Sequence, residues 1–331
     1  MIGLLLAGVA VVAAVVISSL HLHPFGRGAT TTTTTTGASG PTGPTSAPRP
    51  GPQVSIKQLA ALLAPASRVA AAPFGTTGAL FLGGYDAAGA PLDTIQSLTG
   101  ASVQAAGTLP AGEASAVAAA VGTGIYLFGG LGSTIFQITP TSDTVVGSLP
   151  APTADAAVAV VGDTAYVIGG FNGSAELNTI VAFTPGSTPT VIATLPVTLR
   201  LATAAALRGD VYIIGGETAG VASSTVYRFD PTAKTVTAFT HLPHARDREA
   251  AATLGAHVFV LGGLNTATGL RTRAIYSISP RSGVVHLAGI LPLALSDMAA
   301  TSTAGQIVAA GGINAAGVAT TSIYAVTVKP A

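Results

Sequence analysis

The chain of 331 residues has no cysteine and no tryptophan, and only 8% of its residues are charged. Without cysteine there is no disulfide framework, no zinc-thiolate site and no cysteine nucleophile. The net charge is +1, from 14 basic and 13 acidic residues, so no overall field favours nucleic acid or an acidic partner. Neither G-x-S-x-G nor H-E-x-x-H occurs. His241 and His244 flank Leu242 and Pro243, where the proline prevents a helical pair and no third metal ligand is fixed. Neither a metal nor any other cofactor is expected. About half of the residues are hydrophobic, which excludes a chain disordered throughout. With so few charges, the position of each one in the folded part is informative.

The first fifty residues stand apart. Ile2 to Leu20 is an unbroken uncharged run, long enough as a helix to cross a bilayer of ~30 Å. It lacks the basic start, short core and small-residue cleavage site of a signal peptide. It therefore reads as a signal-anchor, a single transmembrane helix over residues 1–20. Residues 21–52, with the tract Thr30 to Thr36 and repeated Pro, Gly and Ser, offer nothing to bury and read as a disordered linker. The remainder, residues 53–331, is expected outside the cytoplasm on this tether.

That remainder is punctuated by a glycine doublet that recurs six times, at Gly83, Gly129, Gly169, Gly215, Gly262 and Gly311 with the glycine after each. Successive intervals are 46, 40, 46, 47 and 49 residues, a period that marks a repeat architecture. Four strand-sized pieces fill each repeat. An Ala-rich run comes first, as in Ala202 to Leu207, followed by a run ending in the doublet, as in Tyr166-Val-Ile-Gly-Gly. The third closes on proline, as in Val226-Tyr-Arg-Phe-Asp-Pro231, and the fourth is more polar and ends in Leu-Pro. The doublets end strands and open no helix, so they form no phosphate cradle.

This order of pieces resembles the kelch repeat, over residues 53–331. The resemblance implies an all-β fold, a six-bladed β-propeller with four-stranded blades. One departure is the missing tryptophan, which the usual repeat carries on its fourth strand. The last repeat lacks a fourth strand, while Gln53 to Leu59 has no blade before it. Pairing this N-terminal strand with the last blade closes the ring and removes two exposed edges.

In such a meander the turn after the doublet and the crossover to the next blade lie on one side of the disc. That side holds 15 of the 25 charged residues from position 53 onward. Loops on a rigid scaffold are the usual seat of function, although ring closure alone would also crowd these charges together. The candidate ligand-binding residues are Arg68, Arg200, Glu217, Arg246, Arg248 and Glu249, because guanidinium forks suit carboxylates and sugar hydroxyls. No residue is assigned a catalytic role. The expected protein is a monomeric binding module whose partner is a protein or glycan at the cell envelope. The alternative is a sugar-modifying enzyme, since some kelch propellers are epimerases or mutarotases of sialic acid. Kelch copper oxidases use a cysteine-crosslinked tyrosine, which this chain cannot form.

Overall fold

The computed structural model describes residues 51–130, 132–139 and 143–330. The expected anchor, and the linker up to residue 50, lie outside them. Among the described residues no helix is long and apolar enough to cross a membrane. The described chain forms six antiparallel sheets arranged as the blades of a propeller, each a four-stranded meander, with a short extra strand at Glu217–Thr218 in the fourth.

Each blade begins with a short inner strand: Ala70–Phe74, Ala116–Val121, Ala157–Val161, Thr203–Leu207, Ala250–Leu254 and Ala299–Thr303. These strands lie at the end of their sheets, paired on one side only, and together they line a cavity along the propeller axis. Alanine dominates here because six strands must converge on one axis and only small side chains let them approach. The second strand of each blade is nearly all buried, as in Thr164–Ile168 and His257–Leu261. In blades 2 and 3 its aromatic side chain reaches the next blade. Tyr126 meets Phe183 with centroids 5.1 Å apart, and Tyr166 meets Phe229 at 5.4 Å, both edge to face. Such pairs contribute about 0.5–1.5 kcal/mol beyond the area they bury. In blades 2 and 3 the aromatic three positions before the doublet is thus a blade-to-blade contact, whereas Tyr212 meets Phe239 of its own blade.

The sixth blade closes the ring as the sequence suggests. Its strand order is Val54–Ala66, Thr320–Val328, Gln306–Ala310, Ala299–Thr303, so the N-terminal strand supplies the missing outer element. This strand runs farther than expected, 13 residues through Pro65, because irregularities at Gln58/Ala60 and beyond Ala61 let it follow its partner. Val54 pairs with Val328 at one end and Ala66 with Thr320 at the other.

The doublets fix the loop face. In five blades the second glycine amide donates to a crossover carbonyl: Gly84 to Glu113, Gly130 to Thr153, Gly170 to Leu199, Gly263 to Leu295 and Gly312 to Ala66. The first glycine, at φ between 58° and 68°, lies against the same carbonyl, and a Cβ on Gly83 would collide with the Glu113 oxygen. Only glycine meets both demands. Just beyond, the chain bridges back to the crossover that feeds its own blade, as in Ser67 with Tyr85, Ala154 with Phe171 and Arg200 with Glu217. Doublet turns and crossovers therefore share one face, and the N-terminal strand arrives from the other. Gln53 accepts a hydrogen bond from Lys329 at the far end of the strand whose Ala66 carbonyl meets Gly312.

Candidate functional site

At the loop face each inner strand is preceded by one residue in the left-handed conformation. These are Arg68, Ser115, Asp155, Leu201, Arg248 and Asp297, with φ between 50° and 58°. A positive φ in six non-glycine residues, one per blade, needs compensation, since each costs about 1–2 kcal/mol. The compensation is visible. Asp155 N donates to Ser115 O, Leu201 to Asp155, Arg248 to Leu201, Asp297 to Arg248 and Arg68 to Asp297, at 2.8 to 3.0 Å. A belt of backbone hydrogen bonds thus links neighbouring blades around the axis. It also turns six side chains toward the mouth of the axial cavity, which has a volume of ≈ 380 Å³.

Four of those six are charged and they pair across the mouth. Arg68 Nε lies 2.8 Å from Asp297 Oδ1, and Nη1 lies 3.1 Å from Asp155 Oδ1 and 3.3 Å from Ser115 Oγ. Arg248 Nη1 is 3.0 Å from Asp247 Oδ1, and its Nε is 3.6 Å from Asp297. Asp297 also accepts from Ser296, whose Oγ in turn accepts from Arg271. Burial alone would lower the Arg68 pKa, but Asp297 and Asp155 outweigh it and the guanidinium holds its proton more firmly than usual.

The sequence candidates divide. Arg68, Arg248 and Glu249 line the axial cavity. Arg200 and Glu217 form a tight pair beside it, 2.6 Å apart, with Arg200 also stacked over Phe171 at 5.3 Å and near Glu176 at 3.5 Å. Arg246 is only 3% exposed; it donates to the Gly262 carbonyl and lies 4.9 Å over the Tyr276 ring. Arg246 is thus a packing residue at this seam.

The seam between blades 4 and 5 is unlike the others. Directly after the left-handed residue, the other five blades carry Val69, Ala116, Ala156, Ala202 and Met298; the fifth carries Glu249. Its side chain fills the place against the Gly215 backbone, and both carboxylate oxygens are buried without a hydrogen bond of good geometry. Burial raises its pKa well above the carboxylate range, against the pull of its own amide, Arg246 and the Gly216 amide. Asp247, fully buried, is raised to about 7, by burial first and then by Glu217 and Asp297, while Arg248 opposes. Its Oδ2 has no donor to accept from. A buried acid kept neutral can hold or release a proton, and it can donate a hydrogen bond.

Asp155, Asp297, Ser115 and Leu201 were absent from the sequence candidates. A signal for them exists: each left-handed residue lies 14 positions ahead of its doublet, or 15 in the first blade. Among the described residues, no three His, Asp or Glu side chains stand where they could hold a metal ion.

A ring of six four-stranded blades around an axial cavity defines a β-propeller. Residues 152–187 and 199–241, in blades 3 and 4, match the Kelch motif, so these two blades carry kelch repeats within the six-bladed propeller. A solved structure described as that of YjhT is similar, with a TM-score of 0.71 and 16% identity over 81% of this chain and 97% of that one. At that identity the likeness is one of fold. No curated protein sequence matches the chain.

Proposed function

We propose that the protein is a binding module, a kelch propeller that presents the mouth of its axial cavity and the surrounding loops to a partner at the cell envelope. The observation that carries this reading is the pairing of charges at the mouth. Arg68, Arg200 and Arg248 each engage carboxylates of the protein itself, so the rim is a neutral, preorganised surface with both signs on offer. The long uncharged run at residues 1–20 supports a membrane tether.

The sugar-modifying enzyme is favoured by one feature, a neutral buried acid, Glu249, lining the cavity. It calls for Arg200, Arg246 and Arg248 to converge in one pocket beside an acid. Arg246 is instead packed under Tyr276, and Arg200 pairs with Glu217. Binding is the better-supported reading.

The test is capture from envelope extracts by the full-length protein and by a variant carrying Arg68→Ala with Arg248→Ala. The expected outcome is a partner retained by the parent and lost by the variant. Identical capture by both proteins sinks the proposal.

A further inference from the structure

The mouth carries enough chemistry to narrow its ligand. The belt residues in ring order are Arg, Ser, Asp, Leu, Arg and Asp, two cations and two anions around one opening. Their ion pairs run through Nε and Nη1 of each arginine, and Nη2 takes no part in them. The side chains of Arg68 and Arg248 remain 27% and 19% exposed, whereas that of Asp297 is 3% exposed. A ligand can therefore reach the guanidinium groups from the open side.

What it does next depends on its own charge. A simple anion that draws Arg68 or Arg248 toward itself weakens their hold on Asp297 and leaves a buried carboxylate short of its cations. Orphaning one partner of a buried pair is strongly unfavourable. A simple cation drawn to Asp155 meets the reverse problem with Arg68. A molecule carrying both charges can take the guanidinium with its carboxylate and the aspartate with its ammonium. Every group then exchanges one partner for another and none is left alone.

Below the mouth the wall suits the body of such a molecule. Six inner strands turn their unpaired edges toward the cavity, offering neutral backbone N–H and C=O groups, with Thr203, Thr253, Thr301 and Ser302 among the lining side chains. No lysine or further aspartate stands there, and Glu249, buried at its seam, is the remaining ionisable side chain of the lining. The volume of ≈ 380 Å³ is at the small end of ligand pockets, which span roughly 300–1,000 Å³. We infer that the axial cavity binds a zwitterion the size of a free amino acid or dipeptide, its carboxylate on Arg68 and Arg248 and its ammonium on Asp155. This assignment rests on the mouth being the binding face.

Three probes built on one dipeptide separate the possibilities: L-alanyl-L-alanine, its N-acetylated form with only the negative charge, and its C-terminal amide with only the positive charge. Calorimetric titration of the full-length protein in detergent should show the unblocked dipeptide binding at least tenfold more tightly than either blocked form. Arg68→Gln and Asp155→Asn should each weaken it at least tenfold, while Arg281→Gln, at a turn on the opposite face, leaves it unchanged. A thermal melt of each variant confirms folding. Equal binding of the acetylated form overturns the zwitterion in favour of a simple anion site. Absence of heat at millimolar dipeptide also overturns it. Neither result touches the envelope-capture comparison of the Arg68/Arg248 variant, which decides the broader reading separately.

Discussion

Arg68 and Asp155 belong to blades 1 and 3, yet Nη1 and Oδ1 stand 3.1 Å apart, so one ion pair passes the whole of blade 2. The same guanidinium reaches back to Asp297 on blade 6. A single side chain therefore joins three separate blades at the axis.

Replacing Arg68 by alanine should lower stability by roughly 2–3 kcal/mol, because Asp297 stays buried with only Ser296 and a more distant Arg248 to hold it. Asp155→Ala should cost less, since Asp155 is the more exposed of the two carboxylates. Urea denaturation of both variants measures the difference. An Arg68→Ala protein with the parent midpoint would mean that the network contributes no net stability.

Gly83→Ala should be far more harmful than Gly75→Ala. Both glycines have φ near 60°, but a Cβ at Gly75 meets open space and one at Gly83 meets the Glu113 carbonyl. The shared backbone strain is about 1–2 kcal/mol, and the excess at Gly83 isolates the collision. Similar melting temperatures for the two variants would remove close approach as the reason for the doublet.

Glu249→Met should stabilise the protein. Met298 already occupies the equivalent place in the next blade, and four other blades have Val or Ala there. Glu249 is held neutral by burial, so the fold binds its proton more tightly than the unfolded chain does. Its contribution is present in acid and is lost as pH rises through the raised pKa. The gain in melting temperature should consequently be larger at pH 9 than at pH 5. A gain independent of pH would show that the carboxyl does not titrate with folding.

Asp247 acts in the same sense over a defined window. With a folded value of about 7 against an ordinary 3.8, it favours the folded state in acid and withdraws that support as pH rises between them. Asp247→Asn removes this ionisation while keeping the shape. Its melting temperature should fall less steeply from pH 4 to pH 7 than that of the parent. Equal slopes in the two proteins would contradict the raised value.

The fold was readable because its decisive residues are repeated. A doublet every forty to fifty residues, an aromatic three positions ahead of it in four blades and a lone strand at the start sufficed for six blades and their closure. The side of the disc that gathers charge was readable too, because meander topology places crossovers and doublet turns together. What each charge does was not. Arg246 and Arg248 differ by two positions in one crossover, yet one packs under Tyr276 and the other reaches the axis. The left-handed belt between them and their equivalents decides this, and its six residues share a backbone conformation without sharing a side-chain type. A pattern written in φ leaves no mark in composition, and only its constant distance from the doublet betrays it.

The inner strands have one more consequence. Short, Ala- and Val-rich, uncharged β segments with a bare edge are the kind of sequence that recruits other chains into aggregates. Here all six bare edges face one another across an axial cavity of ≈ 380 Å³ whose mouth is ringed by charged side chains. Geometry does the guarding that lysines and prolines do elsewhere, which lets a chain with so few charges keep six such strands. Its colloidal safety then depends on the ring staying shut, and a blade that opened would expose two of the most adhesive surfaces in the molecule at once.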